Sequence, residues 1–236
     1  MSSRAARGLW VASVLACASL VHAGGVPTLT IGGGRLLERS DANAFDAFGS
    51  AMASTGDRLL VGCRGADGVD SNEGAVYAFQ LDSNRRLVET QRIVASDERL
   101  RSEFGHSIAA FGSVAAVGVP LGGVGGAVGV LQLVSGQWVQ GPILERAGGT
   151  AASGDGFGSA VALGSSGRLA IGVPGATVDD LESAGAVELR TAVGSNYVLT
   201  TTFSAPIPAA GDRFGAAVAI SGDWLAVGAP FDDVAG

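Results

Sequence analysis

Apolar residues in this chain come in short runs broken by glycine, serine and aspartate, and the runs recur at a nearly constant distance. Four stretches align on Phe-Gly: FGSAMASTGDRLLVGCR from Phe48, FGHSIAAFGSVAAVGVP from Phe104, FGSAVALGSSGRLAIGVP from Phe157 and FGAAVAISGDWLAVGAP from Phe214. Their phenylalanines stand 56, 53 and 57 residues apart, and the interval from Phe to the glycine of the closing tripeptide is 14, 14, 15 and 14 residues. A spacing held four times marks a repeated structural unit. Each stretch predicts a β-hairpin, because two apolar runs with β-branched residues flank STGD, GSSG or SGD, turn sequences whose glycine and aspartate tolerate positive φ.

A third apolar run follows each of the first three hairpins, at 74–81, 126–133 and 185–190, and a fourth at 87–94, 138–144 and 197–203. Four strands in roughly 50 residues is the pattern of a propeller blade. Runs apolar on both faces and rich in Gly, Ala and Val suit sheets that stack closely on neighbouring sheets. The expected fold is therefore all-β, a β-propeller with about four four-stranded blades.

The first 23 residues stand apart from this pattern. MSSRAARG carries two arginines, LWVASVLACASL is apolar, and VHA ends in small residues before Gly24, which together predict a secretory signal peptide cleaved after Ala23. The apolar run is short of the ~20 residues that a membrane span needs. A lipoprotein signal through VLAC, with Cys17 as the lipidated residue, is the alternative. On the secretory reading residues 1–23 are the signal and residues 24–236 form the repeat region; on either reading the protein leaves the cytoplasm and is secreted, periplasmic or on the cell surface. No transmembrane segment is expected after cleavage.

Charge and cysteine content narrow the function classes. All fifteen basic residues are arginine, and the formal charge of −7 becomes −9 once Arg4 and Arg7 leave with the signal. That balance speaks against nucleic acid or an anionic membrane as partner. Cys63 is alone once Cys17 is removed, so no disulfide framework is expected, and its place in LLVGC reads as a buried small hydrophobe.

Phe214-Gly215 followed by Gly228-Ala229-Pro230 resembles the FG-GAP repeat of integrin α subunits and of many secreted bacterial proteins. The resemblance covers about residues 40–236 and departs at 62–64, where GCR replaces Gly-x-Pro, and at Val119 and Val173, which replace the alanine. It implies a β-propeller and, by analogy with integrins, adhesion. The integrin-type repeat often holds calcium in an acidic loop between the two motifs. Here that interval is a plain hairpin with Asp57 or Asp223 at its turn, so those calcium sites are not carried over.

Other acidic positions fall after the closing tripeptide: Asp67, Asp70, Asn72 and Glu73 in one loop, Asp179 and Asp180 in another, Asp232 and Asp233 in a third. They are the candidate metal ligands, with calcium the candidate ion. Their spacing matches no calcium loop, and solvated turn residues are the favoured reading, with no cofactor expected. Asp46, Asp155 and Asp212 each precede their Phe by two residues, which predicts a repeated turn or side-chain-to-backbone hydrogen bond. His106 stands where other copies have Ser50, Ser159 and Ala216, and reads as a substituted repeat position, since the sequence singles out no nucleophile or orienting partner. GVGGAVG at 123–129 reads as a turn into a strand, not a phosphate loop.

The expected function is an interaction module that binds an extracellular protein or glycan through its loops. The alternatives are a hydrolase using loop carboxylates or a metal, and a truncated propeller without independent function. The fourth copy ends after two strands, while PTLTI at 27–31 and GRLLERS at 34–40 resemble the third and fourth strands of a unit. Two expectations follow: a four-bladed ring closed by the termini, or an open piece of a larger propeller that self-associates.

Overall fold

A computed structural model describes residues 37, 40–41, 46–67, 72–100, 102–147 and 151–233. The blades lie within one compact unit, Phe45–Gly236. The first blade comprises β1 (Phe48–Thr55), β2 (Arg58–Cys63), β3 (Ala75–Leu81) and β4 (Leu87–Val94). The second holds β5 (Ser107–Phe111), β6 (Val114–Val119), β7 (Ala127–Val134) and β8 (Gln137–Glu145), and the third β9 (Val161–Leu163), β10 (Arg168–Val173), β11 (Ala186–Val193) and β12 (Asn196–Phe203). Each is an antiparallel sheet in sequence order, and β13 (Ala217–Ser221) and β14 (Trp224–Gly228) form a fourth, two-stranded sheet. The fold is thus all-β, built of propeller blades with the strand count that the repeat predicts. The signal segment 1–23 and the N-terminal runs 27–31 and 34–40 lie outside the described residues, Leu37 and Ser40 excepted.

The hydrophobic core is divided into layers between blades. One cluster joins Leu60, Val76 and Ala78 of the first blade to Ala115, Val117 and Leu131 of the second. Another joins Ala116, Val128 and Val130 of the second blade to Leu169 and Ile171 of the third. Successive residues of β6 and β7 therefore serve opposite layers, as the two-residue side-chain period of a strand requires. This is why middle strands read as unbroken apolar runs: RLLVGC, VAAVGV and RLAIGV each end in four or five consecutive buried residues. Strands at the blade margins, such as β1 and β4, alternate half-buried and exposed positions over most of their length.

The repeat motif is the joint between blades. The sequence places Phe-Gly at the head of the first strand; in the second to fourth blades it lies before that strand, in a turn. The reason is backbone conformation. The residue before Phe is left-handed in every blade, with φ of 55° at Ala47, 64° at Glu103, 68° at Gly156 and 55° at Arg213. The glycine after Phe also has positive φ, from 88° at Gly49 to 96° at Gly105, which favours glycine.

The intervening Phe forms a parallel bridge to the glycine that opens the third strand of the previous blade: Gly74 with Phe104, Gly126 with Phe157 and Gly185 with Phe214. The rings of Phe104 and Phe157 are completely buried. At the same joint a Cβ on Gly62, Gly118 or Gly172 would lie 2.1, 2.0 and 2.0 Å from the carbonyl oxygen of Gly105, Gly158 and Gly215, respectively. Both glycines of the motif are thus dictated by backbone approaching backbone.

Polar groups complete the joints. Asp155 Oδ2 accepts the Ala152 N–H at 2.8 Å and Arg146 Nη1 at 2.6 Å, and Asp212 Oδ2 accepts the Ala209 N–H at 2.7 Å. At Asp155 and Asp212 the recurring aspartate before Phe-Gly makes the side-chain-to-backbone bond its spacing predicts. In the third blade Glu188 and Arg190 replace the Tyr77 and Phe79 of the first. Arg190 reaches Glu188 Oε2 through Nε at 2.9 Å and Nη2 at 2.6 Å, Glu188 Oε1 accepts the Ala147 N–H at 3.0 Å, and the guanidinium lies 5.3 Å from the centre of the Phe157 ring. Two buried charges are tolerated here because each is paired and hydrogen-bonded. Cys63 is buried, and its thiol donates to the Asp46 carbonyl at 3.2 Å.

Candidate functional site

Antiparallel order sends the connections after each second strand, and the Phe-Gly turns before each first strand, to the same end of the blades. The tight hairpin turns lie at the other end, where Asp57 Oδ2 accepts Gln80 Nε2 at 2.8 Å and Asp223 Oδ1 accepts Arg168 Nη1 at 2.8 Å. Those two turn aspartates act as local ties between elements.

Two cavities open at the Phe-Gly end. One, of about 440 Å³, is lined by Ala47, Phe48, Gly49, Ser50, Arg64 and His106. The other, of about 330 Å³, runs across the second, third and fourth blades and is walled by Glu103, His106, Pro120, Ser159, Pro174 and Arg213 with five further residues. His106 belongs to both. The left-handed residue before each Phe contributes to these walls in all four repeats: Ala47 to the first cavity, Glu103, Gly156 and Arg213 to the second. A left-handed backbone position fixed by the fold therefore lines the cavities with a residue that the repeat leaves variable, a side chain in the first, second and fourth repeats and glycine in the third.

Where the cavities meet, His106 Nδ1 is 2.9 Å from Glu103 Oε2, and Arg64 Nη1 is 3.8 Å from the same oxygen. The histidine and glutamate side chains are each about 70% shielded from solvent, whereas Arg64 is nearly half exposed. Glu103 orients the imidazole through Nδ1, so Nε2 is the ring nitrogen left for a ligand. At the far side of the second cavity the Arg213 guanidinium is 5.0 Å from the centre of the Phe231 ring. Sequence reading treated Arg64 and His106 as separate departures from the repeat. Their common partner is visible only when the first and second blades are brought together, although both are the odd residue in their repeat column, a signal already present in the sequence.

The acidic candidates are spread over three loops. Asp67 Oδ1 accepts the Asn72 N–H at 3.0 Å, with Asn72 left-handed at φ 58°, while Glu73 is buried beside them and Asp70 lies outside the described residues. Asp179 and Asp180, with φ of 50° and 65°, are the two central residues of a tight turn closed by bonds between Val178 and Leu181. Two consecutive left-handed residues define a type I′ turn, for which aspartate is well suited. Asp232 and Asp233 are exposed. Among the described residues no group of three or more His, Cys, Asp or Glu side chains is placed to hold a metal ion. Gly125 and Gly126, at φ 83° and 106°, form the turn into β7 that GVGGAVG predicts.

The geometry defines a blade-repeat protein whose joint sets Phe-Gly against the glycine of the preceding blade's closing tripeptide. A model of the FG-GAP repeat matches residues 35–79 and 197–236, so the chain carries FG-GAP repeats, as the motif resemblance implies. No curated protein matches the chain. Among solved structures, the crystal structure of a protein from Lactobacillus plantarum is similar at 16% identity and a TM-score of 0.49, covering 80% of this chain and 48% of that one. The chain thus spans about half the length of that protein. Among the described residues no helix is long and apolar enough to cross a membrane.

Proposed function

We propose that the protein is an extracytoplasmic interaction module that binds a protein or glycan through the Phe-Gly end of its blades. One observation carries this reading: in all four repeats, the variable residue before Phe lines one of two adjoining cavities at that end. Variable residues on a backbone held by Phe and glycine joints are what a recognition surface requires. The apolar N-terminal segment ending in VHA supports export.

The test has two arms. A reporter fused behind residues 1–23 is expected to leave the cytoplasm, with N-terminal sequencing reading Gly24 first. The mature protein is then offered to a panel of matrix proteins and glycans. Saturable binding is expected to weaken at least about tenfold on Arg213→Ala or Leu121→Ala at the Phe-Gly end, and to survive Asp57→Ala and Trp224→Ala at the opposite turns. It is also expected to persist in a calcium chelator. Binding lost through the opposite turns, or no saturable binding to any panel member, overturns the reading.

A further inference from the structure

The repeat supplies an internal reference for deciding which residues of the Phe-Gly end are unusual. The third residue of the closing tripeptide is Pro120, Pro174 and Pro230 in three copies but Arg64 in the first. The second residue after Phe is Ser50, Ser159 and Ala216 in three copies but His106 in the second. Neither change serves the joint. The contact of Gly62 with the Gly105 carbonyl is as close as its counterparts elsewhere, and the His106 N–H donates to Glu103 at 3.0 Å as Ser159 does to Gly156 at 2.9 Å. Two departures from different blades nevertheless converge on one carboxylate oxygen, that of Glu103, whose own position is variable.

We infer that Arg64, His106 and Glu103 form a subsite for the carboxylate of an acidic sugar, a hexuronic acid residue of a glycan. This rests on the interaction reading above and names its ligand. Arg64 carries five N–H donors in a fork matched to a carboxylate. Among the described residues its only side-chain partner is Glu103, through one nitrogen at 3.8 Å, and the residue lines the 440 Å³ cavity, so its other donors are available to a ligand there. Glu103 is the positioning residue: its Oε2 is hydrogen-bonded to the imidazole Nδ1 at 2.9 Å and lies 3.8 Å from the guanidinium, so the two groups stand side by side. His106 Nε2 then meets a ring hydroxyl, and the wall continues past the Ser159 hydroxyl toward Arg213, a second cation for the next acidic unit. Both cavities have the volume of small-ligand sites. A sugar is favoured over an acidic peptide because the imidazole of His106 and the hydroxyls of Ser50 and Ser159 line the two cavities beside the guanidinium, a mixture that suits a hydroxyl-rich ring carrying one carboxylate.

The repeat also provides the test variants. Arg64→Pro and His106→Ser each install the residue that sister blades carry at that position, so the fold is expected to be kept, which circular dichroism and thermal melting check. Calorimetric titration of the full chain uses tri-galacturonate, neutral galactotriose and an acetylated, amidated Gly-Asp-Gly peptide. Tri-galacturonate is expected to bind at least about tenfold more tightly than galactotriose, to weaken as salt rises, and to lose about tenfold with Arg64→Pro. Equal binding of the acidic and neutral trimers, or unchanged affinity in folded Arg64→Pro, overturns the carboxylate subsite while the interaction reading stands on its own panel. Binding of the peptide without the trimer overturns the sugar assignment. No binding of any probe overturns the inference, and the panel experiment then decides the interaction reading separately.

Discussion

The joint between the first and second blades and the joint between the second and third are the same device with different walls. Each presses one glycine against the carbonyl of another, Gly62 on Gly105 and Gly118 on Gly158, and each carries a serine hydroxyl bonded to that carbonyl, Ser50 at 3.3 Å and Ser107 at 2.8 Å. Each buries the Phe of the following blade. The cavity-facing residues differ: Arg64, Glu103 and His106 at the first joint, Pro120, Gly156 and Ser159 at the second. One backbone solution thus carries charged and ionisable side chains at one place and uncharged residues at the next. The glycine contacts that set the joint are kept while most of the cavity-facing positions beside them change, although Ser50 serves both, bonding the joint carbonyl and lining the first cavity.

Three measurements press on that contrast. The largest effect is expected for Phe157→Ala, which empties a fully buried ring site and should cost about 3–5 kcal/mol in denaturant unfolding. Phe48→Ala, at a half-buried ring, should cost less. Equal losses would mean that burial against the preceding blade is not what the ring contributes. Next come Gly62→Ala and Gly118→Ala, whose new Cβ atoms would lie 2.1 and 2.0 Å from backbone oxygens. Both should cost about 1–3 kcal/mol and by similar amounts, because the two joints share one geometry. A tolerated substitution at one joint would break the equivalence. The smallest effects belong to the walls: Arg64→Pro and His106→Ser should each shift stability by within about 0.5 kcal/mol. A larger loss would make the Arg64, Glu103 and His106 cluster a structural tie.

Legibility in the sequence followed the same division. The period, the fourth strands at 87–94 and 197–203, and the turn role of the aspartates before Phe-Gly were readable, because each depends on local backbone preference and side-chain alternation. The displacement of Phe-Gly out of the first strand was not, since it arises from the parallel bridge to a glycine in the previous blade, a contact between residues such as Gly126 and Phe157 that no local pattern records. The buried Glu188 and Arg190 pair was hidden for a related reason: on a strand such residues read as solvent-facing, and partners from outside the strand, the Ala147 N–H, the Glu145 carbonyl and the Phe157 ring, make their burial tolerable.

The sequence by itself determined the repeat, the blade and its strand count, because turn glycines and apolar alternation act over a few residues and recur with the period. Tertiary structure alone decided why both motif glycines are required and which variable residues meet. Arg64 and Glu103 lie in different blades, and their approach is fixed by the stacking of whole sheets, whose closeness is set in turn by glycine backbones with no side chain between them.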